Sequence, residues 1–262
     1  MRLKGKSVLI VGGSRGIGFG AAQRLASEGA KVLLAGTTLK NCEAAVAKLA
    51  DAGCQAHYFV ADANDPKQLG ALLDAAIEKI GGVDVLVYSA GIPSSSAPVW
   101  ETSNEEFDRV MHANLKGPFM MGKLVAKHML DTKRTGANIV FVSSVGGILA
   151  VPTQVAYSVS KAGLNMLAKV MAVSLAPFGI RVNAVAPGPI MTDMMNDLVA
   201  SPERYAALMA RTPLGRLGSV EEIAGTIAFI ASEDGGYFTG QTLYADGGRL
   251  PLNYTAEKSS PF

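Results

Sequence analysis

The sequence predicts an α/β fold, with a single doubly wound, seven-stranded parallel sheet that carries helices on both faces. Short, almost continuous apolar runs alternate along the chain with longer amphipathic stretches, which is typical of parallel strands covered on both sides. A hydrophobic fraction of 49% over 262 residues is sufficient for one large core. A glycine-rich turn directly follows the first apolar run, as in doubly wound sheets that open with a strand, a turn and a helix.

Seven apolar runs are predicted as strands, at residues 7–11, 31–35, 56–61, 83–88, 138–142, 181–186 and 241–245. The clearest helix covers residues 66–80, where apolar side chains recur at helical spacing and Asp65 precedes Pro66 as a cap. The first helix is expected at residues 19–27, and another follows Tyr157 and ends near Pro177.

Composition argues against several classes of protein. The formal net charge is +2 and no lysine or arginine block stands out, so we expect no nucleic-acid partner. Cys42 and Cys54 are too few for a disulfide framework, and we expect both to be reduced and no metal site to form. No apolar run approaches the roughly 18 residues that cross a membrane, and no signal peptide is recognised. These features predict a soluble, cytoplasmic protein without a membrane partner.

The glycine turn covers residues 12–18, Gly-Gly-Ser-Arg-Gly-Ile-Gly, between the first strand and the first helix. Glycines at such a turn let a phosphate approach the N–H groups at a helix N-terminus, so the turn favours nucleotide binding in a Rossmann-type sheet. Its spacing differs from the common G-x-G-x-x-G pattern, and a plain turn is the alternative. The same letters spell the nucleophile elbow G-x-S-x-G around Ser14, but all three histidines lie in the first half of the chain, which disfavours a serine hydrolase.

The end of the second strand indicates which nucleotide would bind. An acid at this place would bind the 2′-hydroxyl of NAD, but the chain has Ala-Gly-Thr-Thr at residues 35–38. With Arg15 offering a cation, this favours the 2′-phosphate of NADP. The alternative is that Thr37 and Thr38 only cap the next helix.

Tyr157 and Lys161 are four residues apart, so they share a face if the segment is helical. A nearby cation favours the phenolate and is expected to lower the pKa of a tyrosine from about 10, so that it can exchange protons near neutral pH. The alternative for such a pair is a solvated helix face. The S-x-x-K pattern at residues 158–161 lacks the S-D-N and K-T-G motifs of β-lactamase-like enzymes and is set aside.

Together with the glycine turn and the Tyr-Lys pair, further motifs occur in order. Ser144 stands thirteen residues before Tyr157, Asn114 lies in HANLKGPF, Pro187-Gly188 precedes Thr192, and YFTGQTLYADGG lies near the end. From residue 3 to 248 the chain resembles the short-chain dehydrogenase/reductase family. Its cofactor turn most resembles those of NADP-dependent acyl-carrier-protein reductases and glucose dehydrogenase-like carbonyl reductases.

The resemblance implies four catalytic residues. Tyr157 would be the general acid in carbonyl reduction and the general base in alcohol oxidation. Lys161 would hold the nicotinamide ribose and lower the pKa of Tyr157. Ser144 would bind the substrate oxygen, and Asn114, within a helix, would hold a water that relays protons from Lys161.

The resemblance also implies contacts with NADP(H). Asp62 would bind the adenine amine, Ala90 and Gly91 would line the ribose, and Ile190 and Thr192 would contact the carboxamide. The full implied set is Gly12, Ser14, Arg15, Gly16, Ile17, Gly18, Thr37, Asp62, Ala63, Ala90, Gly91, Tyr157, Lys161, Pro187, Gly188, Ile190 and Thr192.

Plainer alternatives exist for several of these residues. Ser143 is as good a hydroxyl as Ser144, Asn114 could bond a backbone group, and Asp62 and Thr192 could be helix caps. The chain also departs from the family, which usually has Asn-Asn-Ala-Gly where this chain has Tyr-Ser-Ala-Gly at residues 88–91. Tyr88 is expected to repack the sheet or to approach the adenosine.

Residues 187–218 correspond to the family's substrate lid. The apolar side chains of this lid favour a hydrophobic carbonyl compound over a sugar as the substrate. The alternative is that these side chains only pack the lid onto the body of the protein. They are Met191, Met194, Met195, Leu198, Tyr205, Leu208 and Met209. Residues 93–100 are expected to form another wall of the substrate pocket. Because Arg204, Arg211 and Arg216 lie near the lid, an anionic or carrier-bound acyl compound is an alternative substrate.

The sequence therefore predicts an NADP(H)-dependent oxidoreductase that acts on a carbonyl or secondary alcohol. The alternatives are a non-catalytic NADP-binding regulator and the Ser14 hydrolase. Residues 1–249 would form the dinucleotide-binding catalytic domain, including the lid, and residues 250–262 a tail whose part at 251–254 docks on a neighbouring subunit. The resemblance implies a homotetramer.

Overall fold

A computed structural model of the protein describes residues 1–253 and 255. Tyr254 and residues 256–262, the larger part of the predicted tail, lie outside the described residues. The strands within this part of the chain are β1 Ser7–Val11, β2 Lys31–Gly36, β3 Ala56–Val60, β4 Val85–Tyr88, β5 Asn138–Val142, β6 Arg181–Pro187 and β7 Thr242–Ala245. They form one seven-stranded sheet, all parallel, in the order β3-β2-β1-β4-β5-β6-β7. The predicted fold class is confirmed.

The α-helices within the described part are α1 Gly16–Ser27, α2 Leu39–Asp51, α3 Pro66–Ile80, α4 Asn104–Met111, α5 Gly117–Asp131, α6 Val155–Leu175, α7 Asn196–Val199, α8 Pro202–Met209 and α9 Val220–Ala231. Residues of α3, α5 and α6 pack on one face of the sheet, and residues of α1, α2 and α9 pack on the other. Side chains alternate between these two cores along each strand: in β1, Leu9 and Val11 join the first core, while Val8 and Ile10 join the second.

The order of the strands reverses between β1 and β4, which stand side by side although two other strands separate them in the chain. In an open parallel sheet, the carboxyl ends of the strands at this reversal border a crevice. The glycine turn after β1 and the segment after β4 both leave the sheet here. The fold therefore brings together the stretches that the sequence analysis singled out.

Several element boundaries differ from the predictions by one to three residues, and the starts of α1 and β4 are two of them. Helix α1 begins at Gly16 and not at residue 19, because Phe19 N already donates to Arg15 O at 3.1 Å; Gly16 itself adopts a positive φ of 52° and Arg15 is the extended residue before the helix. Strand β4 begins at Val85 and not at residue 83, because the Asp84 carboxylate accepts hydrogen bonds from Ser7 N and from Arg134. The predicted helix at 66–80 is confirmed, with the Asp65 side chain accepting from Lys67 N at 2.9 Å.

One helical segment of the described chain, Val155–Phe178, is long and apolar enough to cross a membrane by length and composition. Its inward face packs on the sheet and includes the polar residues Ser160, Lys161 and Asn165, all buried. A core helix of this kind passes the same test.

The buried residue His128 connects α5 to Val83, just before β4, at the amino ends of the strands and so on the side opposite the crevice. His128 Nε2 accepts a hydrogen bond from Val83 N at 3.3 Å, which requires the neutral ring. Burial, followed by the positive charge of Arg134, lowers the pKa of His128, while Asp131 and Asp84 act in the opposite direction. The folded protein therefore binds this proton less readily than the unfolded chain.

We predict that the free energy of unfolding falls as the pH is lowered through about 6.5 and below, because the unfolded histidine takes up its proton first. His128→Gln, which keeps an acceptor but cannot titrate, should show a smaller loss of stability between pH 7 and pH 5 in urea unfolding. His57→Gln, at an exposed position, is the matched control and should keep the wild-type slope. Equal slopes for wild type and His128→Gln would contradict the prediction.

Candidate active site

A buried lysine ties the second turn of α6 to the end of β5. The Lys161 ammonium donates to the carbonyl oxygen of Val142 at 3.0 Å, and Nζ lies 5.8 Å from the centre of the Tyr157 ring. The helical spacing thus places Tyr157 and Lys161 side by side, as predicted. The alternative of a solvated face does not hold, since Lys161 is only 5% exposed.

The two neighbouring serines have different positions. Ser143 Oγ donates to the backbone carbonyl of Lys161 at 3.3 Å and is buried behind the site. Ser144 Oγ accepts from Gly146 N at 3.0 Å and is close enough to Tyr157 to lower the pKa of the phenol. A Cβ placed on Gly146 would lie 3.3 Å from Tyr157 Cε1 and 3.4 Å from Ser144 Oγ, so both hydroxyl side chains border this glycine. The geometry favours Ser144 over Ser143 as the residue that meets a substrate.

The expected direction of the tyrosine shift is wrong in this structure. Burial raises the pKa of Tyr157, and the nearby Ser144 hydroxyl offsets only part of that effect. Burial also lowers the pKa of Lys161 to about 8. The phenol therefore remains protonated at neutral pH, a state that suits a proton donor better than a proton acceptor.

Asn114 lies in a π-helical turn, His112–Lys116, between α4 and α5, where the extra residue of the wider turn points its side chain inward. Its Oδ1 accepts from Ile92 N at 2.8 Å, and its Nδ2 donates to Ile92 O at 2.9 Å and to Ser160 Oγ at 3.2 Å. The alternative that Asn114 bonds a backbone group is what the structure shows. It fastens the segment after β4 to α6.

The sequence analysis missed Ile92 and Ser160, the two partners of Asn114. Ser160 precedes Lys161 directly and occupies the same buried helix face. A polar residue at a core position of an apolar helix is the signal that could have identified it. Ile92 offered no signal, since it bonds through its backbone.

The segment after β4 lies between the catalytic candidates. A Cβ on Gly91 would be 3.1 Å from Asn114 Oδ1 and 3.5 Å from Lys161 Nζ. On its other side, a Cβ on Gly12 would be 2.6 Å from Ala90 N. Residues 90 and 91 therefore connect the glycine turn to the Tyr157 site.

The glycine turn has the shape that a phosphate group requires. A Cβ on Gly18 would be 2.0 Å from Gly12 O, so the start of α1 packs closely on the turn. Above Gly16, by contrast, a Cβ would meet only Thr192 Cγ2, at 3.8 Å, among the described atoms. In this part of the chain, the first turn of α1 has neither an acidic residue nor a side-chain cap at Arg15. Its N–H groups thus face the open gap and fit an anionic dinucleotide.

At the end of β2, Thr38 is the residue before α2, but within the described structure its side chain makes no capping hydrogen bond. Thr37 is exposed beside it. Ser14 Oγ is next to this strand end, 2.7 Å from where a Cβ of Gly36 would lie. The structure therefore leaves Thr37 available to a ligand and does not support the capping alternative for Thr38.

Asp62 follows β3 and accepts from the backbone N and the side-chain Nδ2 of Asn64, both at 2.9 Å. The cap of α3 is Asp65, so the capping alternative for Asp62 is wrong. Ala63 is part of the same loop. The adenine contact expected for Asp62 stays a prediction.

The lid begins where β6 ends at Pro187. Gly188 N donates to Ala245 O at 2.9 Å, and a Cβ on Gly188 would be 2.7 Å from Asp246 Cα, so only glycine fits beside the end of β7. Ile190 is bridged to Gly218, which closes the base of the lid. Thr192 makes no side-chain capping bond in the described structure and faces Gly16 across the gap. Ile17 packs on the core beneath the turn.

Large apolar side chains are exposed in the loop before α6, in the segment tethered to that loop and at the start of the lid. Trp100 and Val99 are 81% and 63% exposed, on a short helical turn tethered to the loop before α6 by Ala97 N donating to Thr153 O. Ile148 is 61% exposed in that loop, and Met191 is 48% exposed at the start of the lid. Met195, Tyr205, Leu208 and Met209 are half-buried, and the side chains of Met194 and Leu198 lie outside the described residues.

The three lid arginines are exposed, and Arg216 pairs with Glu222 at 2.7 Å. In the part of the chain that the structure describes, no cluster of three or more histidine, cysteine, aspartate or glutamate side chains could hold a metal ion. The free cysteines are Cys42, buried, and Cys54, half-buried.

Comparison with known proteins agrees with this geometry. The family model described as enoyl-(acyl carrier protein) reductase matches residues 11–249. The chain belongs to the short-chain dehydrogenase/reductase family. This family membership confirms the resemblance and makes the chain an oxidoreductase of a family that uses nicotinamide cofactors.

Two curated relatives within this family match almost end to end. The chain is 39% identical over 247 residues to 3beta-hydroxysteroid dehydrogenase 1 of Eggerthella lenta, covering 94% of each chain. It is 38% identical to a 3-oxoacyl-[acyl-carrier-protein] reductase of Thermotoga maritima, covering 95% of this chain and 99% of that one. A solved Agrobacterium tumefaciens dehydrogenase with bound NADP superposes with a TM-score of 0.88 at 33% identity, covering 95% of this chain and 98% of that one.

Tyr88, where the chain departs from the family, is part of the core between the sheet and α5 and is only 1% exposed. Among the described residues its hydroxyl has no hydrogen-bond partner. Burial, followed by the negative charge of Asp62, raises its pKa. A Cβ on Gly117 would be 2.5 Å from this hydroxyl, so Tyr88 occupies the space that a larger residue at position 117 would need. Tyr88 is thus a core side chain whose hydroxyl lies beside Gly117, and its approach to the adenosine stays a prediction.

We predict that Tyr88→Phe keeps or raises the free energy of unfolding, by up to about 1 kcal/mol, since it removes an unsatisfied buried hydroxyl. Gly117→Ala should lower it by roughly 1–3 kcal/mol through the clash, and Tyr88→Phe should recover part of that loss in the double variant. Urea unfolding of the wild type, the two single variants and the double variant gives the free energies for this double-mutant cycle. A loss above about 1 kcal/mol in Tyr88→Phe alone would show that the hydroxyl is satisfied by a bound water.

Proposed function

We propose that the protein is an NADP(H)-dependent oxidoreductase that interconverts a carbonyl compound and a secondary alcohol. The observation that carries the proposal is the grouping of Ser144, Tyr157 and Lys161 at the carboxyl end of β5, with the Ser144 hydroxyl and the Tyr157 ring both bordering Gly146. Such a pair of hydroxyls can hold one substrate oxygen from two sides. This arrangement has no use in a regulator that only binds a nucleotide.

NADP(H) is the cofactor we propose for the gap above Gly16. The N–H groups at the start of α1 would hold its pyrophosphate, and Arg15 with Thr37 would hold the 2′-phosphate. Among the residues that the resemblance implies for the cofactor, Thr192 faces Gly16 across this gap and Ala90 borders Gly12, which supports the proposal. When bound, the nicotinamide supplies or accepts the hydride.

The protein's own residues would handle the proton. Ser144 donates a hydrogen bond to the substrate oxygen and stabilises the charge that develops there. Tyr157, held protonated by burial, gives its proton to this oxygen in reduction. Lys161 holds the ribose and, with its pKa near 8, can replace the lost proton. Asn114 keeps Ile92 and Ser160 in place beside it.

A bulky, apolar carbonyl compound is the substrate class we propose. The exposed side chains of Val99, Trp100, Ile148 and Met191 offer apolar surface in the loop before α6, in the segment tethered to that loop and at the start of the lid. The relatives are named for a hydroxysteroid, a 3-oxoacyl group and glucose, so the proposal depends on the exposed side chains and not on the relatives. Residues 1–249, with the lid at 187–218, would be the catalytic unit, and the tail contact with a neighbour stays a prediction.

A homotetramer in the cytoplasm is the assembly we propose, because two separate surfaces are apolar and exposed. A groove of about 690 Å³ between α4, α5 and α6 is lined by Phe119, Met166 and Val170, which are 48% to 57% exposed. The second surface is the open edge of β7, where Tyr244, Tyr237 and Phe238 are exposed. Two different self-complementary contacts generate a tetramer of dihedral symmetry.

The central prediction concerns Tyr157. Tyr157→Phe should reduce turnover by at least about a hundredfold, since it removes the proton donor, while NADPH binding followed by nicotinamide fluorescence stays within about twofold. Turnover is measured with NADPH and NADH against a panel that holds a ketosteroid, a 3-oxoacyl thioester and a ketose.

Tyr58→Phe, on the distant edge strand β3, is the matched control and should keep full activity. Activity that survives Tyr157→Phe would contradict the mechanism. Cofactor binding without turnover on any substrate would favour the regulator, and inactivation by serine-directed reagents without cofactor affinity would favour the Ser14 hydrolase.

We also predict that the wild-type protein sediments near four times its chain mass of 27.2 kDa. Val170→Lys, in the centre of the groove and 57% exposed, should shift it to a smaller species because it buries an unpaired charge in the contact. Ile77→Lys, an exposed apolar position on α3, is the control and should leave the mass unchanged. A monomeric wild type would exclude the assembly.

A further inference from the structure

A second groove, of about 440 Å³, lies between the start of α1, the face of α2 and the start of the lid. Its lining includes Ser14, Arg15 and Gly16 of the glycine turn, so it opens directly onto the gap proposed for the cofactor. Ser14 Oγ also borders the end of β2, as its position near Gly36 shows. The groove therefore continues from the place where the adenosine ribose would lie.

One face of α2 forms the far wall of this groove. Asn41, Ala44, Ala45 and Lys48 stand at positions i, i+3, i+4 and i+7, which share a helix face. The two alanines are short and keep the groove open, while Asn41 and Lys48 place a polar amide and a cation at its two ends. The remaining described lining consists of Phe19 and Asp193.

The side chain of Lys48 is oriented so that its ammonium can bind an anion in the groove. Side chains on a helix lean toward its N-terminus, so Lys48 leans toward the carboxyl ends of the strands and not away from them. Its Nζ lies 5.9 Å from the centre of the Phe19 ring, and the ring face holds the ammonium inside the groove. Neither Arg15 nor Lys48 forms an ion pair with a described residue.

We propose that Lys48, with Asn41, completes the binding site for the cofactor's 2′-phosphate and so contributes to the choice of NADP(H) over NAD(H). The inference rests on the proposed cofactor. A doubly charged phosphate between Arg15 and Lys48 would meet a cation on two sides and the Asn41 amide on a third. Asp193, the one acid in the described lining, faces the same groove and opposes an anion there.

The test uses two small probes that differ only in the phosphate of interest, adenosine 2′,5′-bisphosphate and adenosine 5′-monophosphate, with calorimetric titration of the whole chain. Wild type should bind the bisphosphate more tightly. Lys48→Gln should weaken the bisphosphate about five- to tenfold and leave the monophosphate within twofold, with a shallower dependence on salt. Lys48→Arg should retain the wild-type preference. Asp193→Asn should tighten the bisphosphate about two- to threefold.

Lys31→Gln removes the same charge at the opposite end of β2 and is the matched control, expected to change neither affinity. An unchanged preference in Lys48→Gln, or an equal loss for both probes, would overturn the inference while the proposed cofactor stands. A wild type that does not distinguish the two probes would overturn both. Unchanged or weaker bisphosphate binding by Asp193→Asn would contradict its place beside the phosphate.

Discussion

The hydrogen bond from the buried Lys161 ammonium to the Val142 carbonyl is the interaction on which the site depends. A charged group at 5% exposure needs a partner, and removing one would cost several kcal/mol. The bond runs from α6 to the end of β5, and Ser143 returns a second one to the Lys161 carbonyl. The segment after β5 packs closely between these two hydrogen bonds, because a Cβ on Gly147 would lie 2.9 Å from the Lys161 carbonyl oxygen. Ser144 and Tyr157 are oriented as a consequence.

The sequence was sufficient for the fold because local signals and global packing agree. Each buried strand is a separate apolar run, and α3 carries its cap, its proline and its apolar stripe within the segment itself. The start of α1 was misplaced because nothing in the letters shows that Gly16 adopts a positive φ. The start of β4 was misplaced because the partners of Asp84, Ser7 and Arg134, are distant in the chain.

Within the site, helical spacing placed Tyr157 beside Lys161, but it could not give the environment of either group. Spacing indicates which charges are near, whereas burial is a property of the whole fold, and here burial outweighs the neighbouring charge in the pKa of Tyr157. Ser143 and Ser144 are identical in chemistry, so only the alternation of the chain past the end of β5 separates them. Asn114 meets Ile92 across 22 residues, a contact that composition and periodicity do not reveal.

Lys161 and Lys48 both lie at the proposed cofactor site, but their surroundings in the fold differ and suit them to different roles. Lys161 is enclosed, so burial brings its pKa to about 8 and makes proton transfer near neutral pH accessible. Lys48 borders an open groove, with its ammonium 5.9 Å from the centre of the Phe19 ring. In the proposed complex, a dinucleotide would have its nicotinamide end at Lys161 and its 2′-phosphate at Lys48. The two proposals thus assign proton chemistry to a lysine enclosed behind β5 and cofactor selection to a lysine on the face of α2, so that neither role constrains the other.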